Sequence, residues 1–135
     1  MKSHPRLRAY MAGILLPTWF LLLILAALLL TPATHPLRAG AERAIVFPMA
    51  VVPNLWGVWN LLYLAPGLRR RIPIGAFGAL LPLVLVPAGM ALASALDLGF
   101  YTARQGVVVL PIGMALYYLA WKYAVAYFNR VVEIG

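Results

Sequence analysis

The stretch YMAGILLPTWFLLLILAALLL, Tyr10–Leu30, decides the fold. It carries no charge and closes with an apolar run from Leu21 to Leu30. About 20 consecutive apolar residues are needed to cross a bilayer as a helix. In hydrocarbon every backbone N–H and C=O must find its partner within the segment, which selects a helix over an isolated strand. Working outward, three further segments meet the same criterion. Ala44–Leu64 follows Glu42 and Arg43, and a segment from about Ile72 to Leu96 lies between the Arg69-Arg70-Arg71 triplet and Asp97. The last, about Gly106–Phe128, holds a single charge, Lys122, near its end. The even polar–apolar alternation of a membrane barrel strand is absent. The expected fold is an all-α integral membrane protein of four transmembrane helices.

Composition agrees. The 135 residues are 64% apolar and 10% charged, with no cysteine, against about 25% charged residues in a soluble domain. A small soluble fold hides only about two-thirds of its surface and would leave much of this apolar area in water. The same figures exclude disorder, a disulfide framework, thiolate metal sites and cysteine catalysis. Lys2, Arg6 and Arg8 before an apolar run suggest a signal peptide, but the 21 residues of Tyr10–Leu30 exceed the usual 7–15 of such a segment. The nearest small-x-small pattern, Ala39-Gly40-Ala41, lies well beyond it, so the segment reads as a retained span.

The distribution of Lys and Arg sets the orientation. With the N-terminus inside, Lys2, Arg6, Arg8, Arg69, Arg70, Arg71, Lys122 and Arg130 face the cytoplasm, and Arg38, Arg43 and Arg104 face away. Both termini are then cytoplasmic, and the expected location is a bacterial inner (plasma) membrane. The formal charge of +8 becomes mainly an inner-leaflet feature that attracts anionic lipid headgroups. A nucleic-acid partner is not expected, because almost no soluble surface is left to carry one. The connections Thr31–Arg43, Ala65–Arg71 and Asp97–Gln105 are short, which places successive helices side by side in an antiparallel up-down bundle. Residues 1–135 form a single membrane domain.

Prolines interrupt the spans at Pro17, Pro48, Pro53, Pro82, Pro87 and Pro111. Each removes a backbone donor and strains the preceding turn, so distorted helices are expected, chiefly in the outer half. Pro87-Ala88-Gly89-Met90-Ala91-Leu92 resembles Pro111-Ile112-Gly113-Met114-Ala115-Leu116. The resemblance reads either as an old duplication framing a midplane site, as in transporters, or as chance in a Leu/Ala/Val/Pro/Gly-rich chain. In either case Gly89 and Gly113 are expected to let two backbones approach closely.

Polar residues inside spans are the candidate functional groups. At 100° per residue Trp56, Asn60 and Tyr63 share one face of the second segment, with Asn54 and Gly57 on another. An amide in hydrocarbon needs partners, so Asn54 and Asn60 serve either as interhelical glue or as a ligand or water pathway. Lys122 is either a coupling charge or a snorkelling one, with Tyr118 one turn away offering its ring face. Trp19, in mid-span, suggests that the first helix contacts protein on one side. On the outer side His35, Arg38, Glu42, Arg43, Asp97, Arg104 and Gln105 read as ordinary loop polarity. His4 and His35 lie outside the spans and cannot ligate a haem at mid-bilayer. No zinc pattern or glycine-rich phosphate loop appears, so no cofactor, metal site or catalytic set is expected.

Two functional classes follow. The first is a non-enzymatic accessory or assembly subunit that packs with itself or a larger membrane partner. The second is a minimal oligomeric transporter or channel for an apolar or weakly polar solute, with lipid-modifying catalysis at the outer face a distant third.

Overall fold

The computed structural model describes residues 4–32, 34–35, 38, 42, 49–65, 67–95 and 103–134, without the side chains of 93 and 103–106. Among these residues all regular structure is helical. Helix α1, Pro5–Leu30, begins five residues before the expected span. Proline suits that first position, where its missing N–H has no partner to lose, and the His4 carbonyl accepts the Arg8 N–H at 3.1 Å. The helix ends where the Thr31 hydroxyl turns back to the Ala27 carbonyl at 3.0 Å and Pro32 disfavours a further helical residue.

A 3-10 turn, Met49–Val51, leads into α2, Val52–Tyr63. The start of the expected second span, with Pro48, lies outside the described residues. Gly67, at φ +101°, turns the chain into the short helix α3, Leu68–Arg71. Then come α4, Ile74–Ala79, and α5, Leu81–Ala95. Helix α6, Ala103–Leu119, passes into a π-helical segment, Ala120–Val125, and on into α7, Ala126–Val131. Among the described residues three stretches are long and apolar enough to cross a membrane: Pro5–Leu30, Ile74–Leu92 and Val107–Val131.

The prolines sit in different local settings. Pro53 occupies the first turn of α2 and starts that helix instead of bending it. Helix α5 runs through Pro87 and α6 through Pro111 without interruption. Two departures from the α pattern follow in the later helices, one at an expected proline. One is at Leu80, just before Pro82, where Leu80 N–H reaches Phe77 O at 3.3 Å and Leu83 N–H reaches Leu80 O at 3.1 Å. These tighter bonds answer the missing donor of Pro82. The second is the π segment, which contains no proline at all.

Contacts fix the directions of the helices. Ala9 meets Asn60 while Gly13 meets Gly57, so α1 and α2 are antiparallel. Gly75 meets Tyr118 and Lys122, Gly78 meets Trp121 and Gly113 meets Pro82, so α4–α5 runs antiparallel to α6–α7. The start of α1 and the ends of α2 and α7 therefore meet at one end, here termed the base. The core occupies this half: Trp56, Tyr63, Phe77, Leu81, Trp121 and Val125 form one buried cluster. In the far half, no residue of Thr18–Leu30 is buried.

Candidate functional site

The two buried amides of the base form a single node. Asn60 is 0% exposed and Asn129 is 3% exposed. The Asn60 Nδ2 donates to the Ala9 carbonyl at 2.7 Å and to Asn129 Oδ1 at 2.8 Å. Asn129 Nδ2 returns a bond to Asn60 Oδ1 at 3.1 Å. One side chain thus ties α2 to both α1 and α7, with both its amide protons and its carbonyl engaged. A buried amide left unpaired would cost its full desolvation, and the mutual pairing removes that cost.

Glycines bring the backbones to this distance. A Cβ at Gly13 would stand 2.7 Å from the Trp56 carbonyl oxygen and 2.9 Å from Gly57 Cα. A Cβ at Gly57 would meet the Tyr10 ring at 2.6 Å. These two glycines supply the close approach of α1 and α2, as small residues do in membrane packing. Within this chain Gly89 and Gly113 make no such close approach. Gly89 has open space around its Cβ position, and Gly113 meets only the Pro82 side chain at 3.8 Å. The close glycine on that side is Gly78, whose Cβ would fall 2.0 Å from Trp121 Cγ.

The aromatic residues pack directly above the node. Trp56 lies 4.8 Å from Tyr117 and 5.4 Å from Trp121 between ring centroids. Phe77 stacks on Trp59 at 5.0 Å and meets Tyr63 at 5.4 Å. The Trp59 indole N–H donates to the Phe77 carbonyl at 3.0 Å. A side chain of α2 thus bonds the backbone of α4 close to the Pro82 break.

Tyr117, Trp121, Val125 and Asn129 recur every four residues along α6–α7 and face this core. In a straight α-helix each step of four overshoots a full turn by about 40°, so the stripe would drift by about 120° from first to last. The wider turn of the π segment takes up that drift. It therefore brings Asn129 onto the same face as Trp121.

The other candidates are placed as follows. Trp56, Asn60 and Tyr63 are all buried, on one face of α2. Asn54 sits at the surface, where its Oδ1 accepts the Tyr10 hydroxyl, and Gly57 meets that same tyrosine. Lys122 is exposed, with Nζ 5.5 Å from the Tyr118 centroid and 5.4 Å from the Tyr123 centroid. Its Cβ lies beside Gly75, four residues beyond Arg71 and so close to the basic edge of the base. Trp19 is 61% exposed and is not enclosed by the rest of this chain. On the far side Arg38 pairs with Glu42 at 2.7 Å and donates to the Thr31 carbonyl at 2.6 Å. Arg43 and Asp97, with the side chains of Arg104 and Gln105, lie outside the described residues.

Asn129 was not singled out from the sequence. It lies one residue beyond the expected Gly106–Phe128 span and next to Arg130, where an amide reads as interfacial polarity. Among the described residues no group of three or more His, Asp or Glu side chains is placed to hold a metal ion. Helices of this length and composition define a membrane-protein class. Comparison with protein-family models, characterised proteins and solved structures finds no match.

Proposed function

We propose that the chain is a four-span accessory or assembly subunit of an inner membrane, with both termini cytoplasmic. In this reading Met49–Tyr63, with the residues just before it, makes the fourth span. Its described part rises about 22 Å at 1.5 Å per residue, against a hydrocarbon core of about 30 Å. The base is the cytoplasmic side. The positions of Arg6, Arg8, Arg69, Arg70, Arg71 and Arg130 at that end support the assignment, through the excess of Lys and Arg on cytoplasmic ends.

The observation that carries the functional reading is the closed hydrogen bonding of the node. Asn60 directs both amide protons and its carbonyl at other helices of the same chain. A solute pathway needs polar groups turned toward a lumen, whereas these hold helices together. The far halves of the spans, with Trp19, Phe20, Leu23 and Leu29 exposed, offer an apolar surface to a partner or to lipid.

The test is mild extraction from native membranes with a photo-crosslinking amino acid in place of Trp19. A discrete, reproducible crosslinked partner, or a second copy, is the expected result. If instead the purified chain alone supports solute flux in liposomes, and Asn60→Leu abolishes it with the fold intact, the transporter reading takes its place.

A further inference from the structure

A groove of about 430 Å³ runs along the outside of the base between α1 and α7, lined by Arg8, Met11, Ala12, Ile14, Leu15, Val131, Val132 and Glu133. Its walls are apolar and its charged groups sit at one end. Arg8 to Leu15 rises about 10 Å, roughly a third of a hydrocarbon core. Arg8 stands at the mouth with its side chain 36% exposed, donating weakly to the Val132 carbonyl at 3.4 Å. The carboxylate of Glu133 lies 3.7 Å away, on a side chain that is 84% exposed.

We infer that this groove holds one acyl chain of an anionic phospholipid of the cytoplasmic leaflet, with the lipid phosphate on Arg8. The inference rests on the bilayer orientation given above but not on the subunit role, since the purified chain is sufficient to test it. A guanidinium matches a phosphate in charge and in planar hydrogen-bonding geometry. Below it the apolar walls run in the direction of a lipid tail and line about two-thirds of the depth of one leaflet. A soluble anion would gain nothing from Met11, Ile14 and Leu15. The Glu133 carboxylate is the competing anion at the mouth, and its loose, exposed contact lets it swing aside.

The experiment uses the purified full chain in mild detergent, mixed with equal amounts of phosphatidylglycerol and phosphatidylcholine bearing the same acyl chains. Native mass spectrometry reads the ratio of the two one-lipid adducts. One basic group near the headgroup is expected to favour the anionic lipid by about fivefold. Arg8→Gln should bring the ratio close to one, and Arg8→Lys should keep most of it. Glu133→Gln should raise it, because the competing carboxylate is gone. Arg70→Gln, on an exposed arginine away from the groove, should leave it unchanged. The proposal is overturned if Arg70→Gln lowers the ratio as much as Arg8→Gln does, since the attraction is then diffuse. It is equally overturned if the wild-type ratio is one, or if the chain appears as a lipid-free dimer that Arg8→Gln dissociates.

Discussion

Replacing Asn60 by leucine tests the central node. Leucine branches at the same carbon as asparagine, so the change removes the hydrogen bonding while keeping the branched shape, and whatever its bulkier methyls cost in packing adds to the loss worked below. Three bonds of 2.7, 2.8 and 3.1 Å disappear. At about 0.6 kcal/mol for each interhelical bond in a membrane, their loss costs about 2 kcal/mol. Asn129, 3% exposed, is then left with an unpaired amide, which adds at least about 1 kcal/mol. The expected loss is therefore about 3 kcal/mol. Asn129→Leu removes two of the bonds and orphans Asn60 in part, for a loss of about 2 kcal/mol. The double variant leaves no orphan and should lose only about 2 kcal/mol, far below the sum of the single changes. The assay is reversible unfolding by dodecyl sulfate in mixed micelles, followed by tryptophan fluorescence, since Trp56 and Trp121 lie in the buried cluster. Additivity of the two substitutions within about 0.5 kcal/mol would mean that the amides are not coupled, and the node would have no energetic role.

The glycines should separate by their surroundings in the same assay. Gly78→Ala sets a methyl 2.0 Å from a fully buried Trp121 and should cost about 3 kcal/mol, and Gly13→Ala, facing backbone at 2.7 Å, about 2 kcal/mol. Gly89→Ala meets open space and should be neutral or stabilise by up to about 1 kcal/mol. Glu133 adopts φ +58° at the end of α7, and Glu133→Gly should raise stability by about 0.5–1 kcal/mol. The relieved backbone strain outweighs an ion pair whose carboxylate is 84% exposed. Because the chain has no cysteine, single cysteines at Ser3 and Ile134 can be probed in right-side-out vesicles with a membrane-impermeant maleimide. Both should stay unlabelled until the vesicles are opened, and labelling of one alone would exclude an even number of spans.

What the sequence made legible depended on the range of the physics involved. Helical character and the approximate extents of α1, α4–α5 and α6–α7 followed from local hydropathy, because lipid demands the same thing of every turn, whereas the start of α1 at Pro5 did not. The shared face of Trp56, Asn60 and Tyr63 followed from the 3.6-residue period alone. The contacts between helices did not follow. Gly89 and Gly113 sit in matching local contexts, yet Gly13, Gly57 and Gly78 make the close approaches, because which glycine meets a neighbour depends on register between helices. Asn129 was missed for the same reason: an amide has no address until its partner is known. The π segment was invisible for a different reason. Nothing within Ala120–Val125 breaks an α-helix, and the wider turn answers a packing demand set by Trp56 and Asn60 on another helix.

The node also bears on topology independently of charge. Ala9 lies in the second turn of α1, Asn60 in the last turn of α2, and Asn129 in the last turn of α7. Their mutual hydrogen bonds require the start of the first helix and the finish of the last to lie at one depth. Helix α1 is about 39 Å long, so its other end lies well beyond reach of the node. Helix α2 then runs back toward the base, antiparallel to α1. Arginine counting, which depends on how the insertion machinery reads loops, arrives at the same pairing of termini. One argument is electrostatic and acts during insertion; the other is geometric and acts in the folded state. An inverted chain would keep every hydrogen bond of the node while reversing the charge bias. In the proposed four-span reading the node therefore carries the parity of the crossings, and only the arginines carry which side the base occupies.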